Sequence, residues 1–365
     1  GPSVALPGGT SGASDMGTAL AVATTILNLV AGNLGTTVEL SGYTGKISKF
    51  KEIEELVDEM NAGKIGALLI DDVNPVYALP AKTGFDLALN KVDFSVSLSS
   101  HPDETAAVVD LVLPTADVFE DWGDEEPSAG YWLLRQPAAL PMYGAPSIGD
   151  LLLRLRSTEA SSQTWHEYLM NRWKREIYPQ TRLQEISFKS VESPSTTPEE
   201  SEPSPADEEG GFLTWWHDCL AKGYFKSPLG AQRFQGVVVA ASVDSLAQPS
   251  AASFAHKGDF YLLGFPHHFV SDGRFANAPW AWEVPDPMTG LVWDTWVLLH
   301  PDAAADLGVG DNDLVSIKSK RGTLKLPVKV YPHIHREAVA VPFGGGHIAN
   351  GRYSSFTGQR LIDLL

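Results

Sequence analysis

Apolar and polar positions alternate between helix and strand periods in the first half of the chain. Amphipathic spacing predicts helices over 15–29 and 51–61, and a continuous apolar run predicts a buried strand over 65–70. Shorter segments predict a strand at 4–6, helices at 85–89 and 106–109, and strands at 94–98 and 111–113. Strands that alternate with helices in this way favour a parallel, doubly wound sheet, which binds ligands at the carboxyl ends of its strands.

The second half has a strand pattern with one long interruption. Strands are predicted at 237–241, 260–265, 297–300, 314–319, 324–330 and 338–341, with a short helix at 303–307. The interruption, 266–296, is rich in proline and contains four tryptophans. Tryptophans carry too much apolar area to remain in water, so we predict an ordered loop packed against this chain or a partner. The pattern favours a small closed β-barrel.

Between these halves the pattern predicts helices and then a linker. Helices are predicted at 150–155, 164–177 and 212–224, and Trp165, Leu169 and Trp173 form one apolar stripe typical of a core. Residues 189–211 are acidic and rich in proline, serine and glutamate, a composition that cannot bury enough apolar area to order itself. We therefore predict a domain over 1–188, a linker over 189–211 and a second domain over 212–365.

Composition narrows the possible functions. The formal net charge of −18 over 365 residues argues against a nucleic-acid partner. Cys219 is the only cysteine, so the chain by itself cannot form a disulfide or a thiolate iron–sulfur site. No apolar run reaches the roughly 18 residues of a membrane helix, and no signal peptide is visible. An opening on a predicted strand suggests a fragment or one half of a split polypeptide.

Candidate chemistry is confined to turns and strand ends. Polar residues follow predicted strands at Asn74, Ser99 to His101 and Glu104, where a doubly wound sheet binds ligands. His333 and His335 have the spacing of metal ligands on a strand, but a surface turn is the favoured interpretation, and we predict no metal site. Neither a G-x-S-x-G motif nor a Walker lysine motif occurs, and we predict no catalytic residue.

Several segments resemble the molybdopterin oxidoreductase family. HPDAAADLGVGDNDLVSIKSKRGTLKLPVKV and AVAVPFGGGH are similar to its C-terminal domain, and NPVYALP and DETAAVVDLVLP to its third domain. NAPWAWEVPDPMTGLVW and the acidic EDWGDEEP turn resemble the molybdopterin-like subunit of alternative complex III and related quinone reductases. The resemblance implies a doubly wound, Rossmann-like α/β domain followed by a double-psi β-barrel domain.

The resemblance also implies which residues border the family's cofactor. These positions are Asn74, Ser99, Thr105, His267, His268, Gly345, His347 and Arg352. Simpler roles remain open for each of them. Asn74, Ser99 and Thr105 belong to turns where helix capping is an equal alternative, the histidine pair 267–268 suits a polar loop entrance, and the glycine-rich turn before His347 suits a barrel corner.

Three functional hypotheses follow. In the first, the chain is the C-terminal part of a subunit without molybdenum cofactor that scaffolds a membrane-bound quinol-oxidising complex. Its partners would be an iron–sulfur subunit, a multihaem cytochrome, integral-membrane quinol-binding subunits and a separate chain carrying the N-terminal half, on the periplasmic face of a bacterial membrane. In the second, it belongs to an active bis-molybdopterin guanine dinucleotide enzyme of the polysulfide or thiosulfate reductase type. In the third, it is a free-standing small-molecule binding protein.

Overall fold

The computed structural model describes residues 2–9, 17–38, 48–156, 163–181, 205–227 and 259–365. Contacts among the described residues divide the chain into two compact units. Unit 1 comprises Gly1–Asn33, Lys49–Leu113 and Val239–Leu365, and unit 2 comprises Leu34–Ser48 and Pro114–Val238. The predicted domains are continuous stretches of sequence, bounded at 188 and 212. The two units are instead defined by spatial contact, and each combines separate stretches. The domain boundaries at 188 and 212 therefore stay a prediction.

The described residues form both α-helices and β-strands. The α-helices are α1 (Gly17–Val30), α2 (Phe50–Asn61), α3 (Pro75–Ala78), α4 (Phe85–Leu89), α5 (Ile148–Arg156), α6 (Trp165–Arg172), α7 (Pro205–Lys222), α8 (Pro279–Glu283), α9 (Pro301–Leu307) and α10 (Gly351–Ser354). The strands are β1 (Ala67–Asp71), β2 (Phe94–Leu98), β3 (Leu111–Leu113), β4 (Gly123–Ser128), β5 (Tyr131–Arg135), β6 (Tyr224–Lys226), β7 (Tyr261–Phe265), β8 (Val297–Leu299), β9 (Leu314–Lys318), β10 (Thr323–Val330) and β11 (Ala338–Pro342).

Unit 1 contains a three-stranded parallel sheet in the order β1-β2-β3. Four of the five residues of β2 are buried, including Ser95 and Ser97, as its central position in the parallel sheet requires. Helices α2 and α4 pack their apolar sides together with β1, and Met60, Ile70, Phe85 and Leu89 form the centre of this core. The parallel arrangement brings the residues after β1 and β2 to the same edge of the sheet.

A second, five-stranded sheet of unit 1 has the order β7-β11-β8-β10-β9. It is mixed: β7 runs parallel to β11 and β8 parallel to β10, while the β11–β8 and β10–β9 pairs are antiparallel. All five residues of β11 are buried. The core beside it includes Leu326, Val341 and Leu361, and helix α9 contributes Ala303 and Ala304.

Unit 2 has a three-stranded antiparallel sheet, β4-β5-β6, that the sequence pattern did not predict. Strand β4 reads GDEEPS and lacks the apolar alternation by which a strand is recognised. The core of unit 2, here called the Trp173 cluster, consists of Leu134, Trp173, Ile177, Phe212, Trp216 and Cys219. Leu169 and Trp173 of the predicted apolar stripe are fully buried, which confirms a core role for those two residues.

Two local predictions are wrong. Residues 4–6 form no strand, because the amide of Asn28 on α1 satisfies the backbone of Ala5, donating to its oxygen (2.8 Å) and accepting from its nitrogen (2.9 Å). Residues 106–109 form turns instead of a helix. Asp103 caps this segment through the nitrogen of Ala106 (2.7 Å), and Asp110 then hydrogen-bonds Ser95 at the start of β2.

Other predictions fall partly outside the described residues. The strand at 237–241 and residues 189–204 of the predicted linker lie there, whereas 205–211 form the start of α7. The tryptophan-containing loop 266–296 is ordered, as predicted, and contains the short helix α8. None of the helices in the described ranges carries an apolar stretch long enough to cross a membrane.

Candidate functional site

The predicted site residue Asn74 links two strand ends of the parallel sheet in unit 1. It follows β1 and caps α3, where its Oδ1 accepts a hydrogen bond from the nitrogen of Tyr77 (3.3 Å). The same oxygen accepts from both the nitrogen (3.2 Å) and the hydroxyl (2.7 Å) of Thr105, which lies beyond β2. Its Nδ2 donates to Glu104 (2.6 Å). The amide of Asn74 is therefore used within the protein, and Thr105 is fully buried beside it.

Glu104 is the charged centre of this group. It is 5% exposed and accepts hydrogen bonds from Asn74 and from the nitrogens of Ile348 (2.7 Å) and Ala349 (3.1 Å). Both carboxylate oxygens lie 3.2 Å from Nδ1 of His347. Burial raises the pKa of Glu104, but the hydrogen bonds from His347 and Asn74 and the charge of His347 outweigh burial and lower it to about 2. Glu104 is therefore ionised at neutral pH.

His347 completes what is here called the Glu104 cluster: Asn74, Glu104, Thr105 and His347. The imidazole is 2% exposed and stacks on Tyr77, with ring centres 3.6 Å apart and planes 14° apart. Its Nε2 has no hydrogen-bond partner among the described residues. A Cβ built on Gly273 would lie 2.6 Å from Nε2, so this nitrogen faces backbone at close range and not an open cavity.

Tyr77 and Arg360 extend the contact between the parallel sheet and the mixed sheet of unit 1. The Tyr77 hydroxyl donates to the backbone oxygen of Gly345 (2.8 Å), and burial raises the pKa of Tyr77. Arg360 donates to the backbone oxygens of Val76 (3.1 Å), Tyr77 (2.9 Å) and Leu79 (2.8 Å) at the end of α3. The sequence did not indicate either role, because the bonded residues are 268 and 283 positions apart along the chain.

The glycine-rich turn 344–346 is filled by the protein itself. A Cβ at Gly345 would lie 2.3 Å from the hydroxyl oxygen of Thr295, and one at Gly346 would lie 2.1 Å from the nitrogen of Arg360. A turn that holds a cofactor would instead have open space beside its glycines, because the ligand occupies that space. The turn and the Glu104 cluster therefore do not fit a pterin as direct partners of the group.

The predicted site residue His267 has a different set of contacts from the Glu104 cluster. It is buried between Trp282 and Trp296, and its Nδ1 accepts from the nitrogens of Phe269 (3.2 Å) and Val270 (3.1 Å). Burial lowers the pKa of His267, which favours the neutral ring that this acceptor role requires. His267 therefore stabilises the turn at the start of the tryptophan-containing loop.

Three predicted residues have fewer internal contacts. The hydroxyl of Ser99 donates to the backbone oxygen of His101 (2.9 Å). His268 and Arg352 are exposed, and the guanidinium of Arg352 lies 5.5 Å from the ring centre of Tyr353. His268 and Arg352 are thus the members of the predicted set whose charged or polar ends face solvent in unit 1.

Neither a metal cluster nor a reactive cysteine lies among the described residues. No group of three or more metal-ligating side chains is present in the part of the chain that the structure describes. His333 and His335 are exposed, as expected for a surface turn. Cys219 is buried, and burial raises its pKa to about 12, so its thiol is not a nucleophile near neutral pH.

In unit 1, the small parallel sheet and the mixed β-sheet are therefore joined by the buried, ionised carboxylate of Glu104. Residues 286–363 match the model of the family described as the molydopterin dinucleotide binding domain. That match includes β8 to β11 and the glycine-rich turn.

Curated proteins of related sequence extend the likeness over most of the chain. The menaquinone reductase, molybdopterin-binding-like subunit, of Nitratidesulfovibrio vulgaris is 24% identical over 312 residues, which are 82% of this chain and 38% of that protein. The arsenate respiratory reductase molybdopterin-containing subunits ArrA of Chrysiogenes arsenatis and of Shewanella sp. strain ANA-3 are each 24% identical, over 74% and 76% of this chain and 38% of each relative.

Residues 286–363 thus match a domain of the molybdopterin oxidoreductase family, and most of the chain is similar to subunits of that family. It spans 38% of the length of the curated relatives. Among solved structures, the acetylene hydratase from Pelobacter acetylenicus is similar with a TM-score of 0.47 and 17% identity, over 86% of this chain and 43% of that one.

Proposed function

We propose that the chain is the C-terminal part of a molybdopterin-oxidoreductase-like subunit that holds no molybdenum cofactor and scaffolds a membrane-bound quinol-oxidising complex. The observation that carries this proposal is the internal use of the predicted cofactor positions. Asn74, Thr105 and His347 bond one another or Glu104, and the glycine-rich turn is packed by Thr295 and Arg360.

The relatives support the same assignment. The menaquinone reductase relative is named a molybdopterin-binding-like subunit, and its similarity covers 82% of this chain. We extend this to the specific group that includes the alternative complex III subunit, on the strength of the NAPWAWEVPDPMTGLVW and EDWGDEEP segments. In this proposal the electron carriers belong to partners: an iron–sulfur subunit, a multihaem cytochrome and integral-membrane quinol-binding subunits, on the periplasmic face of a bacterial membrane.

The proposed architecture is a Rossmann-like α/β domain followed by a double-psi β-barrel domain. The parallel order β1-β2-β3 supports the first part, and the mixed five-stranded sheet, which overlaps the matched family region, supports the second. In this arrangement the chain contributes surface and rigidity, and the redox steps take place on groups that other subunits hold.

Metal analysis of the purified assembly tests the proposal. Molybdenum and tungsten are measured by mass spectrometry with inductively coupled plasma, relative to the amount of this chain, with iron as the internal control. We expect iron and less than about 0.1 molybdenum or tungsten atom per chain. A stoichiometric content of either metal would contradict the proposal that the subunit holds no molybdenum cofactor.

A second function is favoured by the two ArrA relatives, whose names state that they contain molybdopterin. Under that alternative, the chain is part of an active bis-molybdopterin guanine dinucleotide enzyme that reduces an oxyanion or a sulfur compound. The exposed His268 and Arg352 are then the predicted residues that could reach the cofactor. The same metal analysis separates the two functions, because only the second requires one metal per chain.

A further inference from the structure

An exposed apolar patch lies on unit 2 where two loops meet. Its five side chains are here called the Phe119 patch. Their exposed fractions are 50% for Val118, 67% for Phe119, 88% for Leu140, 75% for Met142 and 90% for Tyr143. Together these side chains leave several hundred Å² of apolar area in water, as much as the largest patch of a typical monomer, and patches of that size are often functional.

Hydrogen bonds hold the two loops together. The backbone oxygen of Phe119 accepts from the nitrogens of Ala138 (2.7 Å) and Ala139 (2.9 Å). The side chain of Glu120 accepts from the nitrogen of Met142 (2.9 Å). The exposed side chains are therefore presented by a bonded pair of segments, and such a preformed surface loses little conformational entropy when a partner binds.

The chain around the patch is strongly acidic. Residues 114–147 contain six carboxylates and one arginine, a formal charge of −5 in a stretch of 34 residues, of which Asp124 is paired with Arg172 outside the stretch (2.7 Å). Asp117 accepts from the nitrogen of Phe119 (2.9 Å), and neither Asp117 nor Glu120 forms an ion pair with any lysine or arginine that the structure describes. The side chain of Arg135 is directed at the backbone oxygens of Asp121 (3.2 Å) and Trp122 (3.4 Å).

We propose that the Phe119 patch is a docking surface for a partner protein segment that presents apolar side chains flanked by lysine or arginine. Tyr143, Phe119 and Met142 are residue types enriched at the centres of protein interfaces. The negative charge beside them selects a basic partner. An anionic lipid surface is disfavoured by the same charge, and a second copy of this chain would place like charges opposite each other in a symmetric contact.

The docking surface goes beyond the proposed redox assembly and does not depend on its reaction. A negative crosslinking result would contradict the docking surface and leave the metal analysis unaffected. A stoichiometric metal content would contradict the absence of cofactor and leave the docking proposal unaffected. The two proposals therefore fail separately.

Photo-crosslinking in the intact assembly tests the docking surface. The photoreactive amino acid benzoylphenylalanine replaces Tyr143 in the full chain, the assembly is purified and irradiated, and the crosslinked peptide is sequenced by mass spectrometry. Leu87, 68% exposed on α4 of unit 1, is the control position. We expect a crosslink from position 143 to a partner peptide with apolar residues and at least two lysines or arginines close by.

Charge removal gives the second readout. Asp117→Asn and Glu120→Gln keep a carbonyl oxygen as acceptor for the nitrogens of Phe119 and Met142 while removing both charges. The double variant should lower the crosslink yield from position 143 by about fivefold, equivalent to about 1 kcal/mol. In the chain that keeps both carboxylates, raising salt from about 50 to about 500 mM should lower the crosslink yield from position 143. This measurement requires no additional substitution.

Four crosslinking results would each overturn the proposal. These are a crosslink to lipid, a crosslink to a second copy of this chain, a crosslink to a partner segment without basic residues, and a yield at position 143 no higher than at Leu87. A yield that is insensitive to both charge removal and salt would equally contradict the proposed basic partner.

Discussion

The Glu104 cluster of unit 1 and the Trp173 cluster of unit 2 bury their side chains in opposite ways. In the first, a carboxylate 5% exposed is surrounded by an amide, an imidazole and two backbone nitrogens. In the second, Trp173 is fully buried against Trp216, with ring centres 5.3 Å apart, and Phe212 is 1% exposed. One region depends on charge and specific partners, and the other depends on apolar area.

The difference determines how each region responds to change. Removing a charge from the Glu104 cluster leaves buried polar partners unsatisfied, and its stability depends on pH. Removing a ring from the Trp173 cluster leaves a cavity, whose cost does not depend on pH. The Glu104 cluster lies between two sheets of unit 1. The residues of this cluster predicted to border a cofactor therefore help to hydrogen-bond one sheet to the other in this chain.

The largest effect is expected in the apolar region. Trp173→Ala should lower the free energy of unfolding by about 4 kcal/mol, because it removes a fully buried ring and the hydrogen bond from its nitrogen to Asp124 (2.8 Å). Circular dichroism during denaturation with urea measures this loss. Trp280→Ala is the matched control, since Trp280 is 69% exposed and its loss should cost less than about 0.5 kcal/mol. Similar losses in both variants would contradict the assigned core.

The next largest effect concerns charge in the Glu104 cluster. Glu104→Gln should lower the free energy of unfolding by about 3 kcal/mol at pH 7. The new amide nitrogen would face groups that now donate hydrogen bonds to the carboxylate. The same denaturation measurement applies. Glu55→Gln is the control, because the Glu55 side chain is 60% exposed and its pair with Lys51 contributes less than about 0.5 kcal/mol. A loss below about 1 kcal/mol for Glu104→Gln would contradict the role of the buried carboxylate as acceptor for these donors.

The pH dependence sharpens that result. The pKa of Glu104 is about 2 in the folded protein, below its usual value of 4.5, so its contribution to stability is complete above pH 4.5 and disappears as the pH falls towards 2. The stability difference between Glu104 and Glu104→Gln should therefore shrink by about 3 kcal/mol between pH 6 and pH 2. Denaturation midpoints at several pH values measure it. A difference that stays constant would show that the carboxylate is not the titrating group.

The smallest effect tests the packing of the glycine-rich turn. Gly346→Ala should cost about 2 kcal/mol more than Gly84→Ala, because a Cβ at 346 would lie 2.1 Å from a backbone nitrogen, whereas a Cβ at 84 meets nothing within 4 Å. Both glycines have a positive φ, +80° and +64°, so the backbone cost is shared. Equal losses would mean that the turn has open space beside it, as a cofactor cradle would.

Much of unit 1 could be predicted from local patterns. The strands 94–98 and 111–113 and the helix 85–89 were predicted with their observed bounds, and the strands of the mixed sheet within about two residues. In unit 2 the antiparallel sheet was missed, and for β4 the reason is its polar sequence, GDEEPS. The pattern of a segment predicts a strand only when one face of that strand is buried and apolar.

The sequence predicted which residues belong to the candidate site, but it did not predict the hydrogen bonds between them. Asn74, Thr105, Gly345 and His347 were each singled out, and the structure brings them together around Glu104 and Tyr77. Their predicted role as cofactor-side residues remains a prediction, against which the internal hydrogen bonds argue. Glu104 and His347 are 243 residues apart, and the local sequence carries no signal for such a pairing.

The sequence by itself determined the periodic elements, the acidity of the chain, the ordered tryptophan-containing loop and the family resemblance, because each of these depends on the types and spacing of neighbouring residues. Only the tertiary structure decided which polar groups satisfy one another and which rings are buried. Trp280 and Trp282 are two residues apart on α8, yet the first is 69% and the second 1% exposed. Burial depends on what packs against a side chain, and the neighbours that decide it can come from distant parts of the chain.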